Sequence, residues 1–203
     1  MDLVNKLFSI INSLLHLITY VIITRIERGY LKVIGVNLGY GAKFYGWCSF
    51  YRTNGSAIRI GRNARFNYSS WLNHIGLNHR CILSTMSDEA ELLIGDELGM
   101  SSSTITCFKK IEIGNGVRIG ANCVIADGDF HLDDPRIGAP KPIKIEDYVW
   151  LGYGVIVMKG VTIGKNSIIG MNSVVTKDVP PNSIAVGTPA KVIKSIKKNS
   201  QYS

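Results

Sequence analysis

The sequence predicts an all-β solenoid of stacked coils, and a repeat of six residues carries this prediction. An aliphatic residue opens every hexad between residues 145 and 176, and glycine follows it at Gly152, Gly164 and Gly170. The opening residues are Ile145, Leu151, Val157, Ile163, Ile169 and Val175. A period of six fits neither the helical period of about 3.6 nor simple strand alternation. Short fixed repeats are typical of solenoids, in which each coil covers the edge of its predecessor.

The residue types in the repeat indicate how a coil is built. β-Branched side chains favour extended chain and fill an inner face, and glycine lets the backbone turn a corner. Three hexads then make one triangular coil.

Upstream of residue 94 the pattern is degenerate. The early coils are assigned to Ile34-Gly35, Ile58, Ile60-Gly61, Ala64 and Phe66, and the clearer hexads to Ile94, Met100, Thr106, Ile113, Ile119 and Ile125, with a one-residue slip after Thr106.

The end of the repeat resembles a known family. Residues 174–183 read Val-Val-Thr-Lys-Asp-Val-Pro-Pro-Asn-Ser, and residues 187–191 read Gly-Thr-Pro-Ala-Lys. Together with the hexads they resemble the hexapeptide-repeat acyltransferases, above all the galactoside, maltose and polysaccharide O-acetyltransferases. The resemblance implies a left-handed parallel β-helix, here over residues 30–189, that assembles as a homotrimer. Flat solenoid faces need covering, which cyclic assembly provides.

Helices are predicted at both ends of the chain. Residues 2–27, within an N-terminal segment 1–29, carry apolar side chains at the spacing of an amphipathic helix. No charge lies between Lys6 and Arg25, but a polar stripe that includes His16 argues against a membrane span. We expect this helix either to lie on a membrane surface or to pack against its own trimer. In the segment 190–203, a short basic helix is predicted from Ala190 to about Lys198.

Composition limits the class of protein. The net charge of +8 fits nucleic acid, an anionic membrane or an anionic substrate as partner. No aromatic-basic ladder, zinc spacing or helix-turn-helix pattern occurs, so no nucleic-acid partner is expected. The four cysteines show no paired spacing and are expected to be reduced core thiols. We therefore expect a cytoplasmic protein, which is peripheral at the inner face of the membrane if residues 2–27 lie on a membrane surface rather than against the trimer.

One loop interrupts the repeat. The count of six fails between Ile125 and Ile145, where residues 127–141 are rich in glycine, proline and aspartate. This loop carries His131, and an imidazole suits the removal of a proton from an attacking hydroxyl. The family resemblance points to the same residue as general base. A carboxylate should orient the ring; the choice among Asp127, Asp129, Asp133 and Asp134 stays open, although strand alternation favours the first two.

The resemblance also implies the substrate contacts. Carried over by position, acetyl-CoA contacts fall at Trp150, Gly152, Tyr153, Gly170, Met171, Thr176, Lys177 and Lys191. Tyr153 and Met171 depart from the small residues usual in the family and would narrow the groove. Acceptor contacts are expected at Ser102 and Ser103. No metal is expected, because the pair His74 and His79 lies outside clean register.

These features together predict an enzyme, an acetyl-CoA-dependent O-acetyltransferase. The expected acceptor is a sugar hydroxyl, in a cell-surface or capsular polysaccharide or its precursor. Direct transfer in a ternary complex is implied, with His131 as base. The alternatives are an N-acetyltransferase acting on an aminosugar nucleotide or an antibiotic and, from another class, a non-catalytic trimeric scaffold with a membrane-docking helix.

Overall fold

The structure, a computed structural model, describes residues 2–69, 73–131 and 133–196. It begins with one helix, α1 (Asp2–Val33). The strands in chain order are β1 (Asn37–Leu38), β2 (Lys43–Tyr45), β3 (Ser49–Tyr51), β4 (Ala57–Ile60), β5 (Arg65–Asn67), β6 (Ile82–Thr85), β7 (Glu91–Ile94), β8 (Gly99–Ser101), β9 (Thr104–Cys107), β10 (Lys110–Ile113), β11 (Arg118–Ile119), β12 (Val124–Ala126), β13 (Ile143–Ile145), β14 (Trp150–Leu151), β15 (Ile156–Val157), β16 (Thr162–Ile163), β17 (Ile168–Ile169), β18 (Val174–Val175), β19 (Ser183–Gly187) and β20 (Ala190–Ser195).

The strands form three sheets, which confirms the predicted solenoid. Sheet A has the order β1-β4-β7-β10-β13-β16, sheet B the order β2-β5-β8-β11-β14-β17-β19-β20, and sheet C the order β3-β6-β9-β12-β15-β18. From β1 to β18, every third strand therefore pairs in parallel, and the chain visits sheets A, B and C in turn. At the end of sheet B, β19 pairs in parallel with β17 and antiparallel with β20. We call the turn from sheet B to sheet C the BC corner, and the turn from sheet C to sheet A the CA corner.

The aliphatic residues of the hexads stack on one another inside the coil. Ile145 lies beside Ile163, and Leu151 beside Ile169, and all four are buried. The predicted register fails at one place, where Ile105 rather than Thr106 lies opposite Ile125. The preceding BC corner is one residue shorter because Ser102 turns with a φ of 38°. Thr106 consequently pairs with Ala126 instead.

Helix α1 closes the first end of the solenoid. Leu31 is fully buried there, and Ile23 is nearly so. The helix continues past the predicted end at residue 27, and the Val36 amide donates to the Leu31 carbonyl at 2.9 Å beyond it. Assigning Ile34-Gly35 to a coil was wrong, because Gly35 has a φ of 76° and terminates the helix. In the described part of the chain, no helix combines the length and apolar character needed to cross a bilayer.

The predicted C-terminal helix is wrong as far as the structure describes it. Strand β20 instead folds back antiparallel on β19, and Lys191 lies opposite Val186. The physical reason is the free edge of β19, whose amides and carbonyls need partners. β-Branched Val192 and Ile193 favour the extended chain that supplies them. Residues 197 and 198 of the predicted helix lie outside the described residues.

Two long segments leave the coils at different corners. Residues 68–81 connect β5 to β6 at a BC corner, and residues 127–142 connect β12 to β13 at a CA corner. Only the second was predicted. Since both corners border sheet C, that sheet lies between the two segments.

Candidate functional site

The loop 127–142 is tied to the coil at its first residue. Asp127 is fully buried, and its carboxylate accepts hydrogen bonds from three consecutive amides of the previous coil. These bonds come from Phe108 at 2.5 Å, Lys109 at 2.8 Å and Lys110 at 2.6 Å. A carboxylate that accepts several backbone N–H groups is a strong structural anchor. The carboxylate of Asp127 therefore holds the loop base to the CA corner.

The other end of the loop is fastened by backbone bonds. The Lys141 amide donates to the Asp127 carbonyl at 2.8 Å, and the Gly160 amide of the next coil donates to the Lys141 carbonyl at 3.0 Å. The side chain of Lys159 spans the loop interior, donating to the Asp129 carboxylate at 2.5 Å and to the Gly138 carbonyl at 2.8 Å. The loop is thus closed at its base and braced across its middle.

His131 lies at the exposed tip of this braced loop. Its carbonyl accepts a hydrogen bond from the Asp134 amide at 3.0 Å, which turns the chain there. Arg136 binds the Asp134 carboxylate, and this hydrogen bond lowers the pKa of that carboxyl group. On the other side, Phe130 packs edge-on against Phe108 with ring centroids 5.5 Å apart. Phe130 and Asp134 are therefore both held by contacts near His131, whose side chain is exposed.

Neither of the favoured aspartates orients the His131 ring. Among the described residues, no carboxylate lies within 4.0 Å of a His131 ring nitrogen. Asp127 is occupied by the three amides, and its expected role beside the histidine is corrected to a structural one. Asp129 is engaged by Lys159. The sequence places both next to His131, but buried amides and a lysine compete for their oxygens.

The expected acceptor contacts Ser102 and Ser103 are also corrected. Both are fully buried, and both hydroxyls have protein partners. Ser102 Oγ donates to the His79 carbonyl, and Ser103 Oγ donates to the Gly120 carbonyl at 2.7 Å. The Cys123 amide in turn donates to Ser103 Oγ at 2.8 Å. These serines join coils and hold the segment 68–81, so they are not available to a substrate.

Sequence reasoning missed the role of Asn122, which holds the segment 68–81 to the BC corner. Its Nδ2 donates to the Gly76 carbonyl at 2.9 Å and contacts Tyr153 Oη at 2.8 Å, and its Oδ1 accepts from the Asn78 amide at 3.1 Å. Asn122 has a φ of 59°, a conformation that asparagine tolerates well. An asparagine between hexads was the available signal, together with the failed count of six between Phe66 and Met100.

Four of the expected acetyl-CoA contacts gather at the BC corner. Gly152 and Gly170 stack there, and a Cβ added to Gly152 would lie 2.9 Å from the Met171 amide nitrogen. Tyr153 and Met171 flank these glycines, and Met171 is strongly exposed. Trp150 points outward from sheet B nearby. The close backbone stacking leaves a flat strip between two large side chains.

The remaining expected contacts lie elsewhere. Thr176 and Lys177 follow β18 and are exposed at the CA corner, the corner that also carries the His131 loop. Lys191 is exposed on β20. The turn before it is held to the last BC corner, because the Gly187 amide donates to Ser173 Oγ at 2.9 Å. Within one chain, His131 and the glycine strip therefore lie at opposite borders of sheet C.

Cysteines and histidines do not form a second centre in the described part of the chain. No group of three or more His, Cys, Asp or Glu residues there could hold a metal ion. All four cysteines are buried and free. Burial, helped by the nearby Asp127 carboxylate, raises the pKa of Cys107 to about 12, so this thiol stays protonated.

The chain is similar to several known proteins. The family model "Bacterial transferase hexapeptide (six repeats)" matches residues 142–177. A putative acetyltransferase of Staphylococcus aureus is 45% identical over 150 residues, which cover 62% of this chain and 75% of that protein. This chain belongs to the hexapeptide-repeat transferase family.

Other similar proteins match a shorter stretch of the sequence or share the fold alone. The galactoside O-acetyltransferase of Lactococcus lactis is 50% identical over 91 residues, which cover 42% of this chain and 44% of that protein. The chain thus spans less than half the length of this relative. A solved structure of AntD, an N-acyltransferase from Bacillus cereus, superposes with a TM-score of 0.57 at 20% identity, covering 84% of this chain and 90% of that one. The predicted fold class, a left-handed parallel β-helix, is confirmed.

Proposed function

We propose that the protein transfers an acetyl group from acetyl-CoA to a saccharide hydroxyl, with His131 as general base. The observation that carries this proposal is the exposed His131 on a braced loop. Proteins similar in sequence to this chain include a galactoside O-acetyltransferase. A catalytic loop needs a fixed base and an accessible tip. We propose further that the acceptor belongs to a cell-surface polysaccharide or its precursor.

The proposed step balances with one base. The acceptor oxygen bonds to the thioester carbonyl carbon while its proton moves to the His131 imidazole. Collapse of the tetrahedral intermediate breaks the carbon–sulfur bond, and the imidazolium returns the proton to the departing thiolate. No acyl-enzyme is required.

We propose that the complete site forms between copies in a homotrimer. His131 belongs to a CA corner, whereas the glycine strip at Gly152 and Gly170 belongs to the BC corner. A cyclic arrangement joins two different surfaces of neighbouring copies, so it can bring one chain's CA corner to the next chain's BC corner. The outward side chains of sheet C between these corners include the exposed Val124 and Ile156, which such a contact would cover.

The experiment is a thiol-release assay with acetyl-CoA and a panel of neutral sugars and aminosugars. His131→Ala should lower turnover by about two to four orders of magnitude, the usual contribution of a positioned base. His16→Ala on α1 is the matched control and should keep full turnover. Acetyl products that mild alkali cleaves are esters, whereas resistant products are amides and would favour the N-acetyltransferase alternative. No thiol release with any acceptor would overturn the proposal in favour of a scaffold.

A further inference from the structure

Helix α1 uses one face to close the solenoid. Ile23, Glu27 and Leu31, spaced by four residues, are buried against the first coil. Glu27 accepts a hydrogen bond from the Cys48 amide at 2.7 Å, and Thr24 Oγ1 accepts one from the Phe44 amide at 3.0 Å. These contacts fix the rotation of the helix about its axis. They therefore decide which side of α1 faces away from the solenoid.

The opposite face of α1 is apolar and uncovered. Successive helical residues are rotated by about 100°, so Leu7, Ile11, Leu14 and Ile18 lie on the side opposite to Ile23, Glu27 and Leu31. These four side chains are 46–59% exposed. Ile10, Leu17, Val21 and Ile22 extend the same exposed surface. The solenoid of the same chain cannot cover this face, because the contacts of Glu27 and Leu31 turn it outward.

Basic side chains continue this apolar face toward the solenoid. Arg25, Arg28 and Lys32 follow on the same side of the helix, and all three are exposed. None of them forms an ion pair with a described residue. Glu27 is the only carboxylate on α1 whose side chain the structure describes, and it faces the solenoid. The outer surface of α1 thus combines apolar area with unneutralised positive charge.

Aromatic residues with polar tips stand at the same end of the molecule. Tyr30 and Trp47 are exposed and line one recess beside Ile26 and Arg80. Such rings favour the boundary between hydrocarbon and water, where one end is apolar and the other hydrated. Apolar area and cations together form what we call the docking face: residues 7–32 on the outer side of α1. Tyr30 and Trp47 lie at its edge, in the recess where the helix meets the first coil.

We infer that the docking face binds the surface of an anionic lipid bilayer, with α1 lying in the interface. Charge complementarity favours this occupant over a second copy. Pairing two docking faces in parallel would bring Arg25, Arg28 and Lys32 against their own equivalents, and pairing them antiparallel would lay these charges on apolar side chains. Anionic headgroups instead attract them. Because Ile23, Glu27 and Leu31 hold the other face of the helix against the solenoid, α1 lies along the membrane surface. The inference does not depend on the proposed acetyl transfer.

The test is co-sedimentation of the full chain with vesicles of phosphatidylcholine alone or of phosphatidylcholine with phosphatidylglycerol. The wild type should bind the anionic vesicles and release as salt is raised. Each basic residue near an anionic surface is worth about fivefold in partition. Replacing Arg25, Arg28 and Lys32 together by Gln should therefore weaken binding by about a hundredfold. The control replaces Arg59, Lys144 and Lys165 on sheet A and its corner by Gln, with the same change in net charge and no expected loss.

A second variant tests the apolar part of the docking face. Leu14→Ser with Ile18→Ser should reduce vesicle binding at every salt concentration, while circular dichroism and thiol release with a soluble acceptor stay unchanged. Equal binding to neutral and anionic vesicles, or equal losses in the two triple variants, would overturn the assignment. So would an absence of vesicle binding combined with a fall in oligomer mass for the serine variant, which would identify a second copy as the occupant.

Discussion

Removing the Asp127 carboxylate separates a structural from a catalytic role for this residue. The side chain is fully buried, and its carboxylate accepts hydrogen bonds from the backbone amides of Phe108, Lys109 and Lys110. Asp127→Ala leaves all three amides without this acceptor. Asp127→Asn keeps one carbonyl oxygen, but its amide group must face at least one of the same N–H donors. Both variants therefore act on the base of the loop rather than on the His131 ring.

The structure sets the size of the effect. A buried amide that loses its partner costs about 1 to 3 kcal/mol. Asp127→Ala should thus lower the free energy of unfolding by on the order of 3 kcal/mol or more, and Asp127→Asn by about 1 to 3 kcal/mol. Asp129→Asn removes a half-exposed ion pair with Lys159 and is the matched control, with an expected cost of about 0 to 1 kcal/mol.

The measurement is urea unfolding followed by circular dichroism, paired with initial rates well below the unfolding midpoint. We expect the urea midpoint to be highest for the wild type and to fall in the order Asp129→Asn, Asp127→Asn and Asp127→Ala. We also expect cleavage of the loop 127–142 by added protease to rise in the Asp127 variants. An unchanged midpoint for Asp127→Asn with a large loss of turnover would refute the structural role. That result would instead support the expected role of Asp127 in orienting the His131 ring.

Three further changes have distinct expected outcomes. Burial raises the pKa of the Glu27 carboxyl, so its contribution to stability is present at low pH and lost as pH rises through the folded pKa; Glu27→Gln should raise the melting temperature at pH about 8 but not at pH about 4. Lys177→Ala should raise the KM for acetyl-CoA and leave the acceptor KM unchanged, as steady-state kinetics would show, because a phosphate contact gives uniform binding. Ile156→Lys should reduce the proposed trimer to monomers in light scattering by placing charge on the exposed face of sheet C.

The regular part of the coil was readable because each hexad repeats one packing solution. Ile145, Leu151 and Val157 predict the inward positions correctly, since a period of six matches one strand plus one corner. The prediction slipped at Thr106, where a single shortened corner at Ser102 moved the register by one residue. A pattern of apolar residues indicates faces, but it does not measure the length of a corner.

The polar anchors could not be read from the pattern. Asp127 was assigned to chemistry because it lies close to His131 in the sequence. Ser102 and Ser103 were assigned because they occupy the region that the family resemblance gives to the acceptor. In the structure, these side chains form hydrogen bonds with backbone amides and carbonyls at the corners, since buried backbone groups need partners. Asn122, which the sequence analysis passed over, holds the segment 68–81 for the same reason. Sequence spacing does not reveal this competition.

The C-terminal error has a related cause. The run from Ala190 to Ser195 contains lysines at a spacing compatible with a helix, and its local composition does not exclude one. What decides the structure is the open edge of β19, a feature of the folded coil that a local pattern does not contain. Edge pairing supplies a hydrogen-bond ladder that an isolated short helix would lack.

If the site is shared between copies, mixing two inactive variants in one trimer tests this sharing, which a single variant alone does not. His131→Ala removes the base at the CA corner, and Met171→Trp obstructs the glycine strip at the BC corner. Each variant alone should be inactive. Co-expressed chains of the two kinds form mixed trimers, in which a site is intact when its His131 comes from the Met171→Trp chain and its strip from the His131→Ala chain. Random mixing should restore about a quarter of wild-type activity in a cyclic trimer.

The mixed-trimer result decides where the site lies. If His131 and the strip of the same chain served one site, every site would carry one of the two defects, and mixing would restore nothing. Isolating the mixed species with two different affinity tags removes parental trimers from the assay. Recovered turnover would show that the distance between the two borders of sheet C is bridged by assembly. It would also explain why the His131 ring has no orienting carboxylate among the described residues of its own chain, since the partner at the interface could supply one.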